Sequence, residues 1–207
     1  MYTPSAFRQD DLAQLHQQIR ACPLASLISQ GASGLLASHL PLLLAPDEGE
    51  FGTLYGHFAR ANPQWRELPQ GETLAIFQGP QAYISPNWYP SKAEHGKAVP
   101  TWNYIAVHTH GRARLIEDDE GLLQLVSRLS AEHEAGRERA WAVSDAPRDY
   151  IDSMLRAIVG FALPIQRIQG QWKLSQNRTA ADRHGVREGL NASPAATDRA
   201  LGARLTP

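Results

Sequence analysis

"TWNYIAVHTHGRARLI" (residues 101–116) alternates: Trp102, Tyr104, Ala106 and His108 fall on one face, Asn103, Ile105 and Val107 on the other. That period of two predicts one long strand, or two strands broken near Gly111. Neither face is purely polar, so both meet protein, a partner subunit or a ligand. Upstream, "LASLISQ" (24–30) and "GLLASHLPLLL" (34–44) read as strands joined by the glycine-flanked turn "GASG" (31–34). "GTLYGHF" (52–58) is a third strand, followed by a short helical stretch over 59–68 that Pro63 interrupts. "TLAIFQG" (73–79) is a fourth, with Gly79-Pro80 as the turn into "AYISP" (82–86).

Helices come early and late. Asp10 caps a first helix with Leu12, Leu15 and Ile19 on one face, and Pro23 stops it. Leu122, Leu125, Val126 and Leu129 stand at helical spacing behind the acidic run "EDDE", which suits a helix N-terminus. Tyr150, Ile151, Met154, Leu155 and Ile158 form a second stripe that Pro147 begins, and "FALPIQRIQGQW" (161–172) is a final strand. Six or seven strands that do not alternate with helices predict an α+β fold around an antiparallel barrel or strongly curved sheet. Residues 1–190 read as a single domain, and the small, polar 191–207 as a flexible C-terminal tail.

Composition narrows the function. The chain of 207 residues is 43% apolar, and its 20 Lys and Arg against 21 Asp and Glu leave a net charge of −1. Such balance exerts no general pull on nucleic acid or membrane, so any attraction must come from a local patch. The lone Cys22 excludes an intrachain disulfide and a multi-cysteine metal cluster. With no signal-peptide pattern and no apolar run approaching ~18 residues, a cytoplasmic protein with no membrane span is expected. The sequons at Asn177 and Asn191 are idle without secretion.

Among chemical motifs, GxGxxG, a Walker loop, HExxH, CxxC and a nucleophile elbow are all missing, and no catalytic residue stands out. His108 and His110 share a strand face, but a metal would need His39 or His57 to converge on them, so no metal site is expected. Five of the sixteen aromatic residues lie between Tyr83 and Tyr104. Tyr83, Trp88, Tyr89, Trp102 and Tyr104 offer flat apolar faces with polar handles, and Ser85 and Lys92 add a hydroxyl and a cation. A planar, phosphate-bearing ligand needs those parts, and so does an aromatic dimer interface. "LYGHFARANP" places His57, Arg60 and Asn62 where a strand hands over to a helical turn, a setting that suits a phosphate or an ordinary helix cap. "KLSQNR" (173–178) packs Lys173, Ser175 and Arg178 with two amides directly after Trp172. It opens a basic stretch: residues 166–207 hold seven Lys or Arg against three Asp or Glu.

"MYTPSAF", "HLPLLL", "GTLYGHFARANPQW", "IFQGPQAYISPNWY", "VPTWNY" and "KLSQNR" together resemble, in order, the PaiB family of FMN-binding negative transcriptional regulators. The likeness runs from Met1 to about Leu190. It implies a split β-barrel like that of flavin reductases and pyridoxamine phosphate oxidases, with peripheral helices, a homodimeric state and FMN near the subunit boundary. It implies too that "SHLPLLL" and "GHFARAN" line the phosphate and ribityl chain, with His57 and Arg60 foremost, Lys92, Lys173 and Arg178 as further cations and Trp172 beside the ring. Three functions follow from that barrel: a regulator that reads FMN, a flavin-dependent oxidoreductase, or a haem-binding or haem-degrading protein using His57, His108 or His110. Direct DNA binding is expected to be weak, because no recognition helix accompanies the basic stretch.

Overall fold

A computed structural model describes residues 1–31 and 34–205. Ala32 and Ser33 of the expected "GASG" turn lie outside the described residues. In chain order the elements are β1 (Arg8–Gln9), α1 (Leu12–Ala21), β2 (Leu24–Gly31), β3 (Gly34–Pro41), β4 (Leu43–Ala45), β5 (Thr53–Ala59) and β6 (Thr73–Ile84). There follow α2 (Ser91–His95), β7 (Thr101–Gly111), β8 (Arg114–Ile116), α3 (Asp119–Glu134), α4 (Arg148–Arg156), β9 (Ile158–Lys173), α5 (Ala180–Asn191) and α6 (Ala196–Gly202). The strands join one sheet in the order β3-β2-β6-β7-β9-β5-β4, with β1 and β8 also on β9. Pairings β2–β3, β2–β6, β4–β5 and β5–β9 are antiparallel, as are β1–β9 and β8–β9. The fold is α+β, and the alternating stretch is β7 and β8, broken after Gly111 as the sequence predicts.

The residues fall into two compact units. One comprises 16–77 and 108–168; the other comprises 1–15, 78–107 and 169–207. In the first, β5 and β9 run in register from Thr53↔Pro164 to Ala59↔Ile158 and bury Leu54, Phe58, Phe161 and Leu163. Phe58 and Phe161 meet at 5.4 Å between ring centroids, and each fully buried ring contributes about 1.5–3 kcal/mol. Leu122, Leu125 and Leu129 of α3 and Ile151 and Leu155 of α4 are buried in the same unit, whereas Tyr150 and Met154 of the expected α4 stripe are exposed. Asp118 caps α3 by accepting the Gly121 N–H at 2.8 Å.

The second unit has its own core of Ala82, Ile84, Ile105, Tyr89, Leu174, Val186, Leu190, Leu201 and Leu205. Its strand β7 sends Asn103, Ile105 and Val107 inward, and Trp102 and Tyr104 to the more exposed face.

Four local expectations are corrected. Asp11, not Asp10, caps α1, its Oδ1 accepting the Ala13 and Gln14 N–H groups at 2.9 and 3.2 Å. "GLLASHLPLLL" is two strands, β3 and β4, parted at Leu42. Gly79-Pro80 is no turn: β6 runs through it. The registered partners of β6 on β2 stop at Ile76, so Pro80, which has no N–H to donate, falls beyond that ladder. The loose tail expected over 191–207 contains α6, because Leu201 and Leu205, four apart, are buried against Val186 and Leu190. Two leucines pin a segment that its small, polar composition made look unanchored.

Candidate functional site

The end of β9 and the turn after it set the site. Side chains alternate there, so Lys173 and Ser175 line one cavity, while Trp172 and Leu174 line another. Ser175 is buried in the left-handed region (φ 64°). The turn closes through the Arg178 N–H, which donates to the Ser175 carbonyl at 2.9 Å. The Gln176 side chain clamps the bend, accepting from the Leu174 N–H at 2.8 Å and donating to the Trp172 carbonyl. Thr179 then starts α5, its Oγ1 accepting the Asp182 N–H at 3.2 Å.

The Lys173–Ser175 cavity measures about 250 Å³ and is also lined by Tyr89, Thr101, Asn103 and Arg178. Lys173 Nζ donates to Thr101 Oγ1 at 2.7 Å. Asn103 Nδ2 donates to Ser175 Oγ at 2.9 Å. The Arg178 guanidinium lies over the Tyr89 ring, 4.8 Å from its centroid. Two polar atoms are left over. Asn103 Oδ1 and the Tyr89 hydroxyl are buried without a hydrogen-bond partner, in residues only 1% and 3% exposed. Leaving such a group unpaired costs about 1–3 kcal/mol. Both residues line the cavity beside two cations, so its lining combines positive charge with polar side chains.

Asp182 braces this region. Its carboxylate accepts the Ser91 N–H at 3.1 Å and the Ser91 hydroxyl at 2.9 Å. Burial pushes its carboxyl up, but the Ser91 bonds, Thr179 and the nearby Arg178 outweigh that and hold it below the usual carboxylate range. Trp88 packs on α5 opposite two glycines: a Cβ at Gly189 would lie 2.4 Å from the indole, and one at Gly185 2.0 Å from the Trp88 carbonyl.

Of the residues singled out in the sequence, Lys173, Ser175 and Arg178 are brought together. Trp172 faces the neighbouring cavity. Trp88 joins the core around α5, Ser85 caps the turn Pro86–Trp88 by accepting the Asn87 N–H at 3.2 Å, and exposed Lys92 donates to Asn87. Trp102, 54% exposed, lies on the β7 face opposite Thr101 and Asn103 and meets Tyr83 edge-on at 6.2 Å.

His57, Arg60 and Asn62 belong to the other unit. Arg60 Nε and Nη2 donate to the carbonyls of Arg156 and Ile158 at 3.0 and 2.9 Å, securing the end of α4. Asn62 caps the turn Pro63–Arg66, accepting from the Gln64 N–H at 3.0 Å and donating to Ser38 Oγ at 2.9 Å. His57 Nδ1 is buried without a partner, and burial lowers its pKa. Burial and the neighbouring His110 lower His108 to about 4, and burial and Arg167 lower His110 against the opposing pull of Glu72. In all three the net shift favours the neutral imidazole. Among the described residues no three His, Cys, Asp or Glu side chains gather as metal ligands.

The sequence reading counted Tyr89 among the aromatic residues that suit a planar ligand but passed over Asn103. For Asn103 a signal existed: it shares its strand face with Ile105 and Val107, and an amide on an otherwise apolar inward face needs a partner.

A family model described as "Putative FMN-binding domain" matches residues 1–167. The chain is 34% identical over 191 residues to "Protease synthase and sporulation protein PAI 2" of Bacillus subtilis (strain 168), covering 92% of this chain and 89% of that one. Among solved structures it is similar to the FAD and heme binding protein from Mycobacterium smegmatis, with a TM-score of 0.61 at 15% identity over 86% of this chain and 78% of that one. It is also similar to the flavocytochrome Anf3 from Azotobacter vinelandii, with a TM-score of 0.58 at 15% identity over 84% and 70%. The likeness to both is one of fold, an α+β split barrel.

Proposed function

The chain belongs to this PaiB-type family of FMN-binding domains, which assigns it FMN as cofactor, and from that premise we propose that the cavity of Lys173, Ser175 and Arg178 holds the phosphate-bearing arm of FMN. One observation carries the placement: Asn103 Oδ1 and the Tyr89 hydroxyl are buried and unpaired beside two cations. The residues suit the group. Lys173 and Arg178 supply charge for a phosphate dianion, Arg178 in the planar fork that matches phosphate oxygens. Ser175, Asn103 and Tyr89 supply donors and acceptors for hydroxyl groups along the ribityl chain. At about 250 Å³ the cavity falls below the roughly 300–1,000 Å³ of pockets that enclose a whole ligand. It therefore takes the arm, and the ring system lies outside it.

When bound, FMN supplies one- or two-electron redox chemistry. The protein's own task is to bind and orient it. The exposed pair Tyr83 and Trp102 supports a homodimer, and exposed Val99, in the lining of the Lys173–Ser175 cavity, supports a cofactor near its boundary. The kinship with a protein named for protease synthesis and sporulation favours a regulatory role. A chain with a single free cysteine, Cys22, suits the cytoplasm. No helix among the described residues is long and apolar enough to cross a membrane.

Fluorescence titration with FMN tests the placement. Saturable binding is expected, weakened about tenfold in Lys173→Ala and in Arg178→Ala. Arg60→Ala, in the other unit, is expected to stay within about twofold of wild type, since its donors already meet backbone carbonyls. Loss of binding in Arg60→Ala with full retention in the other two would move the cofactor to the other unit and overturn this reading.

A further inference from the structure

Trp172 and Leu174, the alternate side chains of the same bend, line a separate cavity of about 470 Å³. Arg8 of β1, Arg183 of α5 and Arg204, just after α6, converge on it, with three glutamines completing the lining and no Asp or Glu among the residues around it. β1 is held there by its pairing with β9, Arg8 opposite Gln171. Among the described residues Arg8 and Arg204 make no side-chain hydrogen bond or ion pair, and Arg183 gives one bond, from Nη1 to the Arg178 carbonyl at 3.2 Å. The amides are spent on the wall. Gln9 donates to Gln14 Oε1 at 2.7 Å, and Gln176 bonds the backbone of its own bend. Asp11, which meets Gln14 from outside the lining, is committed to capping α1.

We propose that this cavity is a second ligand site, distinct from the Lys173–Ser175 cavity, for a small planar-ring anion carrying two or more negative charges. Three guanidinium groups around one concavity repel each other and focus positive potential into it, a cost that a multiply charged anion removes. Guanidinium forks match phosphate and carboxylate oxygens in pairs, so each free arginine can take two oxygens. Trp172 and Leu174 supply the apolar face on which a ring rests, which bare phosphate would leave unused. The volume lies within the range of pockets that enclose such a ligand. A nucleoside diphosphate and an aromatic polycarboxylate share this chemistry.

The test is isothermal titration of the full chain with ADP, with benzene-1,3,5-tricarboxylate and with pyrophosphate, alone and after saturation with FMN. The double variant Arg8→Gln/Arg204→Gln removes two exposed side chains that hold nothing else. The expected result is saturable binding of at least one ring-bearing anion, tighter than pyrophosphate. It should weaken on raising salt, fall about tenfold or more in the double variant and persist with FMN present. Binding of ADP alone assigns the nucleotide class, and binding of the tricarboxylate alone the polycarboxylate class. Three outcomes overturn the proposal: no ring-bearing anion binds, the double variant binds as well as wild type, or FMN displaces the anion and is itself lost in the double variant. The last would make this cavity the place of the cofactor.

Discussion

Asn103 separates a structural part from a binding part. Its Nδ2 is matched by Ser175, while its Oδ1 sits unpaired in a residue 1% exposed. A purely structural asparagine would have both ends satisfied. Asn103→Leu removes the unpaired carbonyl at the expense of one bond to Ser175, and these terms are each about 1 kcal/mol and opposed. The stability of the ligand-free protein is therefore expected to change by no more than about 1 kcal/mol, while FMN affinity falls about tenfold. Thermal denaturation and FMN titration of the same variant check both halves. A loss of several kcal/mol without FMN would make Asn103 a core polar residue and remove the main support for the cavity. The sequence held part of this site. "KLSQNR" placed Lys173, Ser175 and Arg178 together because they are neighbours in the chain. Arg8, Arg183 and Arg204 could not be grouped, since only the pairing of β1 with β9 and the docking of α6 bring them to one cavity.

At the scale of elements, α5 is held by contacts that helix propensity alone would not choose. Asp182, Val186 and Leu190 fall four apart and are buried. Gly185 and Gly189, on the adjoining face, leave room for Trp88. Glycine inside a helix costs about 1 kcal/mol relative to alanine, so on an open helix Gly185→Ala would stabilise. Here the new Cβ would stand 2.0 Å from the Trp88 carbonyl, a backbone atom that cannot swing away. Gly185→Ala is expected to destabilise by about 1–3 kcal/mol, read from chemical denaturation. A stabilised variant would show that Trp88 does not rest on α5. This helix was missed in the sequence because its two glycines break the apolar stripe and its buried first-turn residue is an aspartate. By contrast β7, and β9 from Phe161 on, were plain, since period-two alternation and branched side chains agree there with the tertiary pairing. Ile158, read as the last residue of the α4 stripe, instead begins β9. The passage of β6 through Gly79-Pro80 was illegible for the opposite reason, because local turn chemistry outweighed a ladder that ends at Ile76.

For the whole molecule, a net charge of −1 and an exposed aromatic pair point the same way, toward self-association and away from nucleic acid. The charge predicts DNA association that is weak and falls steeply between about 50 and 200 mM salt. Fluorescence anisotropy with a labelled duplex measures it, and tight, sequence-specific binding at the higher salt would show that direct DNA reading had been underestimated. The aromatic pair makes the second claim. Tyr83 is 47% exposed, Trp102 54% and Val99 66%, all within one compact unit. Large aromatic side chains left in water forgo burial worth about 1.5–3 kcal/mol each, and a second copy that covers them recovers it. Light scattering after gel filtration is expected to give twice the chain mass for the wild type. Trp102→Asp, which buries nothing needed by the core, is expected to shift the population to monomer with little change in circular dichroism. FMN affinity of the same variant reads the partner's share. Trp102 lies on the β7 face opposite the cavity residues Thr101 and Asn103, so a fall on monomerisation comes from loss of the partner and not of a direct Trp102 contact. If Trp102→Asp stays dimeric, the pairing surface lies elsewhere. If it becomes monomeric and binds FMN unchanged, the cofactor is held within one chain.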